Sequence, residues 1–293
     1  MLWLIENVDS LRESDVLPTL ARISPEHAER LSALRVPPAR IQGALARLLL
    51  CFALRKEYGL PALPEIRAGE HGKPFFPTCP EISFNLSHCK TAVACALDAA
   101  PLGVDVQGYR PLTKASPSPA SSSKSSPLGA ELSGGQFRIS FSGCASCARG
   151  TGNLSVAAPV RTLAVGGVTS TSKTEESEPS EAAEKLYTPP IFRVLSDSER
   201  SWVCAPSDPA SRDRRFIQIW TCKEAYGKAL GVGLGCDFRH TSFQPSPEPW
   251  TQSGFTFTQW VLPTCALTLC AEKTLPLRRV SFEELITCFN GGN

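Results

Sequence analysis

Arg40-Ile-Gln-Gly-Ala-Leu-Ala-Arg-Leu-Leu-Leu-Cys-Phe-Ala-Leu-Arg-Lys-Glu-Tyr58 is the stretch from which the fold can be read. Its apolar positions Ile41, Leu45, Leu48, Leu49, Phe52 and Leu54 recur at helical spacing, and Gly59 with Pro61 supplies a C-cap and a stop. Upstream, Ser24-Pro25-Glu26 reads as an N-cap with proline at N1, opening a helix to about Leu34. Downstream the period changes. Ile82–Asn85, Thr91–Leu97 and Leu102–Val106 are short apolar runs between turn-like residues, which predicts a small sheet. A second helix from about Arg215 to Leu230, closed by Gly231, and strands at 254–262 and 265–272 repeat the scheme. The expected class is α+β, in two similar halves, each a small antiparallel sheet packed with a long helix.

Between the halves the composition shifts. Runs such as Ser116-Pro-Ser-Pro-Ala-Ser-Ser-Ser-Lys-Ser-Ser-Pro127 carry almost no large side chains. Ordering a residue's backbone costs roughly 1 to 2 kcal/mol, which such a stretch has little apolar burial to offset. The expected organisation is therefore an N-terminal half over 1–111, a disordered Ser/Pro-rich insertion over 112–190 and a C-terminal half over 191–293.

Composition narrows the function. Of 293 residues, 30 are Lys or Arg and 28 are Asp or Glu, so the net charge of +2 provides no global field for nucleic acid, and any anion site must be local. The longest apolar stretch, Ala44–Leu54, is far short of the ~20 residues of a membrane helix. Met1-Leu-Trp-Leu-Ile5 meets Glu6 at once and reads as a first strand rather than a signal peptide. Twelve scattered cysteines without an export signal suit reduced thiols and a cytoplasmic location. Cys144-Ala-Ser-Cys147 has metal-like spacing but no second pair nearby, so zinc is discounted.

Three short segments carry polar groups on otherwise apolar elements. In Val104-Asp-Val-Gln107, Asp105 and Gln107 share one strand face while the valines take the other; a solvated strand end is the bland reading, a hard-cation site the sharper one. In Trp220-Thr-Cys-Lys-Glu-Ala-Tyr-Gly-Lys228, Glu224 and Lys228 lie at i, i+4, commonly a surface ion pair, but here on a helix with Trp220, Ala225 and Ala229. Asn85-Leu-Ser87-His88 sets a hydroxyl and an imidazole at a strand end, and Gly72-Lys73-Pro74, just before it, fits either a phosphate contact or an ordinary turn.

The order of these pieces resembles that of the Sfp-like 4'-phosphopantetheinyl transferases, whose GKP, FNxSH, G(V/I)D(V/I) and WxxKEAxxK motifs occur in the same sequence. The resemblance covers roughly 20–110 and 191–290. Ser24–Arg30, Arg47 and Phe192–Arg200 also match. It implies two halves related by a pseudo-twofold in a monomer. It further implies Mg²⁺-dependent transfer of the phosphopantetheine arm of coenzyme A to a serine of an apo acyl or peptidyl carrier protein, releasing 3',5'-ADP, with neither nucleic acid nor membrane as a partner. The implied metal ligands are Asp105 and Glu224 with Gln107; Glu224 or a water it orients is the base, and Lys228 assists the leaving phosphate. The implied coenzyme A contacts are Arg30, Gly72, Lys73, Asn85, Ser87, His88 and Lys223. Gln107 departs from the pattern, since many relatives carry Glu there. A non-catalytic relative that binds coenzyme A or a carrier, and a scaffold acting through the insertion, are the alternatives.

Overall fold

The structure, a computed structural model, describes residues 1–112, 194–232 and 238–290. The expected disordered insertion and the Cys144/Cys147 pair lie outside the described residues, apart from Leu112.

The fold is mixed α+β. Strand β1 (Leu2–Glu6) leads through helices α1 (Glu13–Ile23), α2 (Pro25–Ser32) and α3 (Pro37–Tyr58) to a short hairpin, β2 (Arg67–Ala68) and β3 (Pro74–Phe75). Strands β4 (Ser83–His88), β5 (Ala92–Asp98) and β6 (Gly103–Gly108) follow. Beyond the central region come α4 (Asp197–Cys204), α5 (Pro209–Leu230), β7 (Trp250–Gln252), β8 (Phe255–Val261), β9 (Cys265–Ala271), β10 (Leu277–Arg279) and α6 (Phe282–Asn290). Among the described residues no helix is long and apolar enough to cross a membrane.

Two four-stranded sheets form, in the orders β10-β1-β5-β4 and β6-β9-β8-β7. This corrects the expectation that 82–106 make one sheet. β6 leaves its sequence neighbours and pairs antiparallel with β9, Asp105 opposite Thr268, while β10 returns from the second half to run parallel to β1. Strand exchange thus joins the halves.

Alternation along the strands sorts the side chains into layers. Trp3, Ile5, Val93, Cys95 and Phe84 face α3 and pack with Leu45, Leu48, Leu49 and Phe52. On the opposite face Leu2, Leu4, Ala92, Ala94 and Ala96 meet Val104, Val106, Leu267 and Leu269 of the second sheet. The outer face of that sheet, with Phe257, Ala266 and Cys270, lies against Phe216, Ile219, Trp220 and Ala225 of α5. The order is helix, sheet, sheet, helix. β6 thus lies between two apolar layers, so the buried Asp105 on its α5 side stands out.

Candidate functional site

The site forms where α5 crosses β6. Gly103 lets them meet, for a Cβ there would stand 2.1 Å from the Ala225 carbonyl oxygen and 2.5 Å from the Ala229 nitrogen. Asp105 and Gln107 continue the same strand face. Ala225 and Ala229 are each preceded by a site residue, Glu224 and Lys228, so the contact sets the height of both on the strand.

Asp105 is 1% exposed and its Oδ1 accepts from Lys228 Nζ at 2.6 Å and from Ser87 Oγ at 2.9 Å. Lys228 Nζ also donates to the Val104 carbonyl at 3.1 Å and lies 3.3 Å from Ser87 Oγ. The ammonium thereby joins three elements. Two carboxylate atoms stay bare: Asp105 Oδ2 and Glu224 Oε1 are buried without a hydrogen-bond partner, as is His88 Nδ1. Burial, then the nearby Asp105 charge, pushes Glu224 up to about 7 against the opposing pull of Lys228. His88 is pushed down to about 4, first by burial and then by Lys228, and is neutral near pH 7.

The motif at the end of β4 has a second duty. β6 is an edge strand whose outward N–H groups need acceptors, and side chains supply them: Val104 N donates to Asn85 Oδ1 at 2.9 Å and Val106 N to Ser87 Oγ at 3.1 Å. Asn85 is thus committed to the seam between the sheets, whereas Ser87 serves both seam and site.

The remaining expected contacts stand elsewhere. Lys73 Nζ donates to the carbonyls of Leu102 at 3.1 Å and Ala229 at 3.0 Å, clasping the start of β6 to the end of α5, and burial lowers its pKa. Gly72 forms the β2–β3 turn with φ of 80°. Arg30, exposed on α2, reaches His27 Nδ1 at 3.5 Å, and the buried Arg47 reaches the same atom at 3.2 Å. Lys223 points away from the cluster. It is fully buried, paired with Glu199 at 2.9 Å, and donates to the carbonyls of Phe238 and Thr241, each at 2.6 Å. His27, the acceptor shared by two arginines, was missed by sequence reasoning; its signal was a histidine on the apolar face of the Ser24–Leu34 helix.

The carboxylates fit a hard cation. Mg²⁺ takes oxygen ligands at one or two carboxylates and keeps several waters. Asp105 Oδ2 and Glu224 Oε1 are two such oxygens, buried and unpartnered, with the half-buried Gln107 next along the strand face. Among the described residues no third His, Cys, Asp or Glu joins them.

The sequence is similar to those of known proteins. Residues 175–270 match the 4'-phosphopantetheinyl transferase superfamily. A 4'-phosphopantetheinyl transferase of Bacillus subtilis is 32% identical over 95 residues, which is 32% of this chain and 42% of the relative. The 4'-phosphopantetheinyl transferase Sfp of Bacillus subtilis strain 168 is 31% identical over 93 residues, 31% of this chain and 41% of the relative. A 4'-phosphopantetheinyl transferase of Paxillus involutus, pptA, is 45% identical over 60 residues, 20% of this chain and 23% of the relative. The matched stretches span less than half the length of these relatives. The recognition from the motifs holds: the chain is similar to the Sfp-like 4'-phosphopantetheinyl transferases.

Proposed function

We propose that the chain transfers the 4'-phosphopantetheine arm of coenzyme A to a serine hydroxyl of an apo acyl or peptidyl carrier protein, releasing 3',5'-ADP. The observation that carries the reading is the pair of bare buried carboxylate oxygens, Asp105 Oδ2 and Glu224 Oε1, with Lys228 lodged beside them. Burial first, and the Asp105 charge second, raise Glu224 to about 7, so the two carboxyls resist joint ionisation. A divalent cation relieves that conflict and suits a pyrophosphate substrate. Magnesium, when bound, supplies neutralisation of the pyrophosphate and polarisation of its P–O bonds.

The protein's own groups divide the rest. The carrier serine attacks the phosphorus next to the pantetheine, and its proton passes to Glu224 or to a water that Glu224 orients. The bond from that phosphorus to the bridging oxygen breaks, and the oxygen departs on 3',5'-ADP. Lys228 can trade its contacts with Ser87 and Val104 for the departing phosphate, at which negative charge accumulates. Neutral His88 and Ser87 flank the same pocket as further polar contacts. Arg30, Lys73 and the neighbouring turn at Gly72 are proposed as coenzyme A contacts, for which Lys73 must release the two carbonyls it now holds. Gln107 is proposed as a weak or water-bridged ligand.

A monomer belongs to this proposal, since both elements of the site come from one chain, and so does a cytosolic setting, on the scattered cysteines that suit reduced thiols. The second reading, a relative that binds coenzyme A or a carrier without transfer, is favoured by Gln107 alone, and the presence of Glu224 and Lys228, both half-buried beside Asp105, argues against it.

The test is incubation with coenzyme A, Mg²⁺ and a panel of apo carrier proteins, weighing each carrier by mass spectrometry. At least one should gain the mass of a phosphopantetheine, and Glu224→Ala should abolish the gain. Transfer by Glu224→Ala at the parent rate overturns the assigned chemistry.

A further inference from the structure

Beside the site lie two thiols that the proposed reaction does not use. Cys89 directly follows His88 in the turn between β4 and β5, where its N–H donates to the Ala92 carbonyl. Cys265 opens β9 at the turn after β8, where its carbonyl accepts from Leu262 N. The end of β6 brings the turns together. Gly108 pairs with Cys265 across the ladder, so the Cys265 side chain stands next to the space that a Gly108 side chain would fill. Cys89 Sγ occupies the other side of that space, 3.9 Å from where the Gly108 Cβ would be. Both belong to the apolar layer between the sheets, Cys265 fully buried and Cys89 8% exposed.

We propose that Cys89 and Cys265 form a reversible disulfide on exposure to a peroxide, tying the β4–β5 turn to β9 and thereby restraining His88 and Ser87. The protein chemistry favours Cys89 as the attacking sulfur. Hydrogen bonds from Cys265 and from Thr91 hold the Cys89 thiol below its ordinary range, while Cys265 is raised by the same contact. Burial instead pushes Cys51 up to about 11 and Cys222 up to about 12, and raises Cys95 and Cys270 too. Thiolate character selects the oxidised cysteine.

The electrons balance with one peroxide. Cys89 thiolate attacks one oxygen of hydrogen peroxide, the O–O bond breaks, and a sulfenic acid and hydroxide result. Cys265 sulfur then attacks the Cys89 sulfur, the S–O bond breaks, and the departing hydroxide takes the Cys265 proton as water. Two thiols are oxidised and the peroxide is reduced to two waters. A thiol reductant reverses the change by exchange.

The full chain treated with stoichiometric hydrogen peroxide, digested without reductant and analysed by mass spectrometry should yield a linked peptide pair holding Cys89 and Cys265, released by dithiothreitol. Cys89 recovered unmodified or as sulfinic acid with no link, or a link to another cysteine, overturns the proposal. Its effect on the site rests on the transferase reading and is measured separately. The linked protein should transfer at least fivefold more slowly than the reduced protein, with Cys89→Ser protected from that loss. A linked protein that transfers at the reduced rate refutes the coupling to the site, whereas a reduced protein that transfers nothing refutes the transferase reading and leaves the linkage result standing.

Discussion

The Cα of Gly103 sits against the carbonyl of Ala225 with room for a hydrogen and nothing larger, because a methyl group would lie 2.1 Å from that oxygen. The obstacle is helix backbone, which cannot swing aside as a side chain does. Gly103→Ala should therefore push α5 off β6 and part Asp105 from Lys228. Overpacking of this kind costs about 1 to 3 kcal/mol or more. Urea unfolding should show the loss, and the folded fraction should transfer poorly; parent-like stability and rate together would refute the close approach as the determinant of the site.

The Glu199–Lys223 pair should behave as architecture. Glu199 receives Lys223 Nζ and Ser196 N at one oxygen and Phe243 N at the other, at 2.9, 2.8 and 2.7 Å. Glu199→Ala strands a fully buried ammonium, and breaking such a pair costs ~3 to 5 kcal/mol. Lys223→Met should likewise destabilise, yet leave coenzyme A affinity in the folded protein unchanged. Calorimetric titration would decide, and a large loss of affinity in Lys223→Met would return Lys223 to the phosphate contacts.

Gln107→Glu adds a charge beside the proposed cation site. It should tighten Mg²⁺ binding roughly tenfold, about 1.4 kcal/mol, while the transfer rate at saturating Mg²⁺ changes less than tenfold. A rate increase of several orders of magnitude would show that Gln107 is a lesion rather than a tolerated ligand.

Stability should fall as pH drops from about 6.5 toward 4. Burial, Arg47 and Arg30 push His27 down to about 4 in the folded chain, and burial and Lys228 do the same to His88. Between those limits the unfolded chain binds more protons, so the histidines' contribution is complete above pH 6.5 and is lost on acidification. His27→Gln should flatten part of the slope in unfolding free energy against pH. An unchanged slope would refute the neutral acceptor role of His27.

The helices were legible because their signals are local. The predicted end at Tyr58 matches α3, where Gly59 takes a left-handed φ of 65°, and the predicted end at Leu230 matches α5. The starts were placed late, Arg40 for Pro37 and Arg215 for Pro209, because polar first turns carry no apolar period. Helix α1 escaped notice, as Pro18 inside it argues against a helix that the burial of Val16 and Leu20 nevertheless stabilises. The segments of β4, β5 and β6 were found, but their partners were not. Alternation records which face is buried and says nothing of which distant strand supplies the hydrogen bonds, so the crossing of β6 to β9 and β10 to β1 was invisible. That Asp105 and Glu224 belong to one site is expected only through the order of motifs, and the Asp105–Lys228 ion pair was not foreseen, whereas the inward turn of Lys223 depends on Glu199, a partner that spacing does not reveal.

That β6 completes its ladder only with β9 bears on how the molecule is made. A ribosome releases Gly103–Gly108 long before Cys265–Ala271, so the nascent chain carries an apolar, unmated ribbon while everything between is still being translated. Contacts so remote in sequence slow maturation and leave that ribbon open to strangers. The pocket around Asp105 would then take shape only once Cys265–Ala271 has emerged, so it is among the later parts of the molecule to come into being.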